Sequence, residues 1–207
     1  EKIFIGWNTL DNTLFNKIIS QEEKLKLRKN LGLKDKRIIL SVGRLVEEKG
    51  LIYLLNAYKI LQKKHNTALL LIGDGAKKDF LKNEVKRLSL ENIIFMDYIM
   101  NKELCQYYSI ADVFVLPSIT IKTWKEPWGF VINEAMNQGC PVVATNAVGA
   151  AMGGLVDDGE TGFIVPEKNS DKLANAIDKI LSNTTLQNDM KKNSIRKIQN
   201  WNSDFQS

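Results

Sequence analysis

Two stretches of the chain hold residue types whose spacing lets them do chemistry together. In "SVGRLVEEKG", residues 41 to 50, Gly43 permits a tight backbone turn, and Arg44 and Lys49 stand five apart on one loop. Arg offers a planar fork and Lys a compact point charge, so together they could converge on a phosphate. A plain strand-to-helix turn with two surface cations is the alternative. In "EPWGFVINEAM", residues 126 to 136, Glu126 precedes a Pro-Trp-Gly turn and Glu134 follows eight positions later. No cation stands between them. If a helix starts after that turn, the amides of Gly129, Phe130 and Val131 lack intrahelical partners and sit at the positive end of its dipole. Such amides cradle a diphosphate, and an ionised carboxylate at either side can accept from a pair of neighbouring hydroxyls. The plainer roles are favourable charge near a helix start for Glu126 and an ordinary solvated helix position for Glu134.

Other candidates carry less. "LIGDGAKKDFL" (71 to 81) has a Gly-x-Gly, but the third glycine of a dinucleotide fingerprint would fall at position 78, which is Lys78. A tight turn is expected there, on a loop that lines the same cleft. His65, the sole histidine, lies in "QKKHNT" at a polar helix end and is expected to be exposed. No His-based triad or His-rich metal site can be assembled, and Cys105 and Cys140 lack metal-ligand spacing, so we expect no metal ligands. The two thiols fit a reducing compartment. Trp124, Trp128 and Trp201 do not form the aromatic-and-basic repeat that single-stranded nucleic acid uses, so no nucleic-acid partner is expected.

The elements that would position these residues are legible as alternation. Five short apolar runs, at 37 to 43, 68 to 73, 92 to 97, 112 to 118 and 140 to 145, read as strands buried on both faces. Amphipathic stretches at 49 to 64, 76 to 89, 101 to 110 and 128 to 138 read as helices between them. "SQEE" (20 to 23) is a capping box, and Asn101 is expected to cap the helix that follows it. "DDGETGFIVP" (157 to 166) reads as a turn, a strand and a proline stop, with two helical stretches from about 170 to 200. The pattern predicts an α/β domain: a Rossmann-like, doubly wound parallel sheet with helices on both faces. Ligands of such sheets bind outside the carboxyl ends of the strands, where the Gly43 and Gly129 loops fall.

At 207 residues, with 44% hydrophobic and 26% charged residues, the chain can bury one substantial core, and we expect a single domain over 1–207. It contains no run long enough to span a bilayer and no secretory leader pattern, which points to a cytoplasmic protein. The balance of 29 Lys+Arg against 24 Asp+Glu gives a net charge of +5, with cations gathered at 22 to 37. A solvated helix face explains that run; an anionic ligand or membrane surface is the alternative. The chain opens without Met on "EKIFIGWN", which suggests a piece of a longer protein.

Taken in order, "WNTLD" (7 to 11), "SVGRLVEEKG", "LLLIGDG", "ADVFVLPS", "EPWGFVINE", "EAMNQGCPVVAT" and "DGETGFIVP" resemble the donor-binding, C-terminal half of group-one retaining glycosyltransferases with the two-domain GT-B fold. The resemblance implies that Arg44 and Lys49 hold the diphosphate of a UDP- or GDP-linked sugar and offset its charge as the nucleotide leaves. It implies that Glu126 contacts hydroxyls of the transferred sugar, which makes Arg44, Lys49 and Glu126 the catalytic set. Glu134 would bind the ribose, Gly43 and the amides of Gly129, Phe130 and Val131 would complete the donor site, and the base would lie near Ile99. No further cofactor is implied. The reaction implied is sugar transfer to an acceptor hydroxyl with retained configuration, as in polysaccharide biosynthesis. The acceptor glycan or lipid-linked glycan would be met by an N-terminal domain absent from this chain, with peripheral contact at the inner face of the membrane through the basic surface. One departure is "NAVGAAMGGLV" (146 to 156), where many relatives carry Gly-Gly and a glutamate, so no contact is assigned there. The competing readings are another GT-B activity, a phosphorylase or epimerase, and a non-catalytic module that docks on an anion or membrane through Lys24, Lys26, Arg28 and Lys29.

Overall fold

The computed structural model of the chain describes residues 12–201. The opening apolar run and the "WNTLD" stretch lie outside the described residues. The strands β1 (Arg37–Val42), β2 (Thr67–Ile72), β3 (Ile93–Met96), β4 (Val113–Leu116), β5 (Val142–Thr145) and β6 (Gly162–Val165) pair in parallel. Their order is β3-β2-β1-β4-β5-β6. The continuous apolar runs follow from this: in β1, Ile38, Leu40 and Val42 enter one core while Ile39 enters the other. A strand with helices over both faces has no solvated side to mark with polar residues.

The helices divide between the two faces. On one side lie α2 (Leu51–Leu61), α3 (Lys78–Arg87) and α7 (Ser170–Ser182), whose Leu54, Tyr58, Leu81 and Ile177 fill the same cluster as Ile39 and Val143. On the other lie α4 (Asn101–Ile110), α5 (Val131–Asn137) and α6 (Gly149–Met152), with Ile198 of α8 (Thr184–Gln199) and the partly buried Leu27 of α1 (Gln21–Asn30) against them. The doubly wound architecture is therefore as the sequence indicates. The short α6, inside the 146 to 156 tract, had no signal in the sequence.

Local expectations divide. The capping box of α1 is present: Glu23 N donates to Ser20 Oγ at 3.2 Å, and Ser20 N donates to Glu23 Oε2 at 2.8 Å. Asn101 does not cap α4. Met100 takes the cap position with extended backbone (ψ 143), its carbonyl accepts from Glu103 N at 2.8 Å, and Asn101 is already helical. His65 is not exposed either. Its side chain is 17% exposed and its Nε2 lies 2.6 Å from Asp178 Oδ1, because α7 packs against the end of α2 and brings that carboxylate over the ring.

At the amino ends of the strands, Asp112, just before β4, is 8% exposed and ties together β1, α1 and α8. It accepts from Ile38 N at 2.8 Å and from Gln187 Nε2 at 3.2 Å, with Arg37 Nε at 3.4 Å and Arg28 Nη1 at 3.9 Å. Replacing Asp112 with alanine leaves a buried amide without its acceptor and two cations without their partner. The expected loss is about 2–3 kcal/mol, below that of a fully buried pair because both guanidiniums keep a solvated edge. Urea denaturation measures it; a change under about 0.5 kcal/mol, the size of an ordinary surface substitution, would show that water replaces these contacts without cost.

Candidate functional site

The order of the sheet reverses between β1 and β4, and the loops leaving their carboxyl ends carry the residues singled out above. Gly43, Arg44, Ile99, Val131 and Glu134 line one cleft of about 300 Å³, with Tyr98 and Asp74 at its sides. Gly43 and Arg44 also border a recess shared with Lys49. Gly73 and Asp74, from the Gly-x-Gly turn after β2, line the cleft as the sequence suggested.

Glu126 is held from three directions. The β1 loop ends in a short 3-10 turn, Glu47–Lys49, and Gly50 then reverses the chain into α2 with left-handed backbone (φ 62, ψ 21). A Cβ at Gly50 would lie 2.1 Å from the Pro117 carbonyl, so glycine lets the loops after β1 and β4 touch. Ile119 N donates to Glu48 O at 2.8 Å across the same contact. The outcome is that the Lys49 ammonium meets the Glu126 carboxylate, 77 positions away in sequence, with side-chain exposures of 14% and 8%. Ser118 Oγ donates to the same carboxylate oxygen at 3.3 Å. Behind it, Gly149 N at the start of α6 donates to Glu126 O at 3.1 Å, and Ala150 N donates to Trp128 O at 2.8 Å. The tract that departs from the family pattern thus braces the Pro-Trp-Gly turn from below.

Arg44 differs from Lys49. Its guanidinium pairs with Glu48 at 3.2 Å and its side chain is 63% exposed, at the rim of the recess. Gly129 and Phe130 precede α5, and Val131 is its first residue, so the turn sits slightly ahead of the helix proper. Among the described residues, no acceptor pairs with the amides of these three. Phe130 is 42% exposed.

Glu134 is not a solvated glutamate. It is 7% exposed, and Tyr108 of α4 donates its hydroxyl to Glu134 Oε2 at 2.8 Å. Burial pushes the Glu134 carboxyl above the usual glutamate range, against the downward pull of that hydrogen bond. Tyr108 and Ser118 have no spacing signal, because each reaches its carboxylate through the tertiary fold alone.

The basic helix α1 has no buried residue, but its four cations are not equivalent. Arg28 donates to Ile110 O at 3.0 Å and also to Lys36 O, so it fastens α1 to the domain; Lys26 and Lys29 are exposed and Lys24 is half-buried. Among the described residues, no helix is long and apolar enough to cross a membrane.

Comparison with known proteins gives a consistent picture. The family model described as glycosyl transferases group 1 matches residues 23–197. An uncharacterized glycosyltransferase of Methanocaldococcus jannaschii is 33% identical over 184 residues, covering 88% of this chain and 45% of that protein. The capsular polysaccharide biosynthesis glycosyltransferase CapM of Staphylococcus aureus is 29% identical over 200 residues, covering 95% of this chain and 50% of that protein. Among solved structures, Anabaena HepE in complex with UDP and glucose superimposes with a TM-score of 0.82 at 28% identity, over 94% of this chain and 51% of that one. The chain spans about half the length of the curated relatives it matches.

Proposed function

This chain belongs to the group 1 glycosyl transferases, and from that membership we propose that it is the donor-binding domain of a retaining enzyme that transfers a sugar from a nucleoside-diphosphate sugar to an acceptor hydroxyl. The observation that carries this is the cleft at the reversal of strand order, lined by Arg44, Val131 and the buried Glu134, beside a recess where Lys49 pairs with the buried Glu126. The UDP complex of HepE supports a nucleotide sugar as donor. Acceptor recognition belongs to the part of the relatives that this chain does not match, so the chain alone is expected to bind nucleotide weakly and transfer nothing.

The chemistry asked of the site is electrostatic. As the bond from the anomeric carbon to the diphosphate breaks and the acceptor oxygen bonds to that carbon, negative charge grows on the departing phosphate oxygen, which takes up the acceptor hydroxyl's proton. Lys49, Arg44 swung in from the rim, and the three amides stabilise that charge without moving a proton. Glu126, fixed by Lys49 and Ser118, accepts from hydroxyls of the transferred sugar. Glu134 accepts from the ribose hydroxyls, and the base lies along the apolar wall by Ile99. This division of labour needs neither carboxylate as acid or nucleophile, unlike the paired carboxylates of glycosidases.

Calorimetric titration with UDP, GDP and ADP, with and without magnesium, tests the assignment. One nucleotide is expected to bind selectively, and Glu134→Gln to weaken it by about tenfold or more, as for loss of hydrogen bonds to a charged group. Equal binding by the variant would remove Glu134 from the site. Affinity should also depend on pH in a direction set by the raised Glu134 carboxyl. The ionised form accepts ribose hydroxyls, so binding is strongest above that raised value and fades as pH falls through it. Fading should begin at a higher pH than an exposed glutamate would allow, and binding in that window should release protons. Titrations in buffers of different ionisation heat measure this; proton uptake would contradict the assignment.

A further inference from the structure

Glu134 is held unevenly. Tyr108 donates to Oε2 from a ring that is 1% exposed, and among the described residues no donor reaches Oε1. The ring cannot drift, because it packs edge-on against Phe114 of β4, with centroids 5.6 Å apart and planes at 68°. The other charged or titratable groups around the carboxylate are Arg44, Asp74 and Tyr98 across the cleft and Cys105 beside Tyr108 on α4. Cys140 also stands close enough to influence the phenol electrostatically. Arg44 is engaged with Glu48 and Asp74 lies 3.4 Å from Lys78; among the described residues, Tyr108 alone hydrogen-bonds the carboxylate.

We infer that Tyr108 is a positioning residue for the ribose: by occupying Oε2 it fixes the Glu134 carboxylate and leaves Oε1 as the acceptor for the paired ribose hydroxyls. This rests on the proposed contact between Glu134 and ribose. Tyr108 itself touches no ligand. A carboxylate pinned by one oxygen cannot rotate to compensate for a missing hydroxyl, so the site distinguishes ribose from 2′-deoxyribose more sharply than a mobile glutamate would. The buried phenol also donates to the ionised carboxylate, which favours the form that accepts from ribose.

The test compares UDP with 2′-deoxy-UDP, or GDP with 2′-deoxy-GDP if the titrations select guanine, across pH for the unsubstituted chain, Tyr108→Phe, Glu134→Gln and the double variant. Tyr108→Phe keeps the packing on Phe114. It is expected to weaken the ribonucleotide by about tenfold, weaken the deoxynucleotide less, and move the pH midpoint of binding upward. In the Glu134→Gln background it should add nothing. The ribose-to-deoxyribose ratio is internal to each variant, so a partly unfolded sample does not imitate the effect. In the unsubstituted chain, the ¹³Cζ resonance of Tyr108 should follow the same pH midpoint as binding. If Glu134→Gln weakens binding but Tyr108→Phe changes neither ratio nor midpoint, Tyr108 only fills the core and the inference is overturned. If Glu134→Gln has no effect, the ribose assignment fails and the inference with it.

Discussion

In an enzyme that joins this domain to an acceptor-binding half, as proposed above, Lys49→Met is expected to lower kcat by about 10²–10³-fold, the cost of removing one preorganised group from a site where charge develops. Arg44→Met should cost less, because that guanidinium is exposed and reaches the phosphates only by moving. A second effect separates the two cations. Lys49 neutralises Glu126 where both are nearly buried, so its loss strands a carboxylate and should destabilise the chain by about 3 kcal/mol. Removing the stranded charge with Glu126→Gln in the same chain should return most of the stability and none of the turnover. If the double variant recovers turnover, the ammonium acts only by holding Glu126, and its role at the diphosphate falls.

The other large effect concerns backbone. Gly50→Ala places a Cβ about where the Pro117 carbonyl already is, at a φ that L-residues resist. Strain and displacement together are expected to cost about 3–5 kcal/mol, a fall in Tm of roughly 10 °C for a chain of this size. Gly154→Ala is the control: its φ is 84, yet a Cβ there would meet nothing within 4 Å. That variant should lose only the strain, about 1 kcal/mol. Similar losses in both would mean that the approach of the two loops costs nothing to relax. Since the contact at Gly50 is what brings Lys49 to Glu126, Gly50→Ala should also weaken nucleotide binding at temperatures where the chain stays folded.

The strands were legible because a sheet covered on both faces writes its burial as uninterrupted Ile, Leu and Val. The cleft was legible because glycines and cations at the ends of those runs stand where such sheets bind ligands. What the sequence withheld depends on distant segments meeting. Nothing near Glu126 reveals Lys49, since the two meet only after the loops following β1 and β4 touch. His65 looked exposed because its partner, Asp178, belongs to a helix more than a hundred positions on. The helix α6 is only four residues, too short to show a period, yet its amides brace the turn that carries Glu126. The burial of Glu134 left no mark near it in sequence, because α5 is covered on most sides by distant segments and the tyrosine that bonds its carboxylate comes from α4.

The location of the diphosphate is open to one direct observation. In ¹H–¹⁵N correlation spectra of the isotopically labelled chain titrated with UDP and GDP, the largest shifts should fall on the amides of Gly43, Arg44, Gly129, Phe130 and Val131. A second group should appear near Ile99, and Glu134→Gln should weaken the whole set together. Shifts confined elsewhere, such as around Gln62 to Asn66 at the opposite end of the sheet, would contradict a nucleotide seated between Glu126 and Glu134.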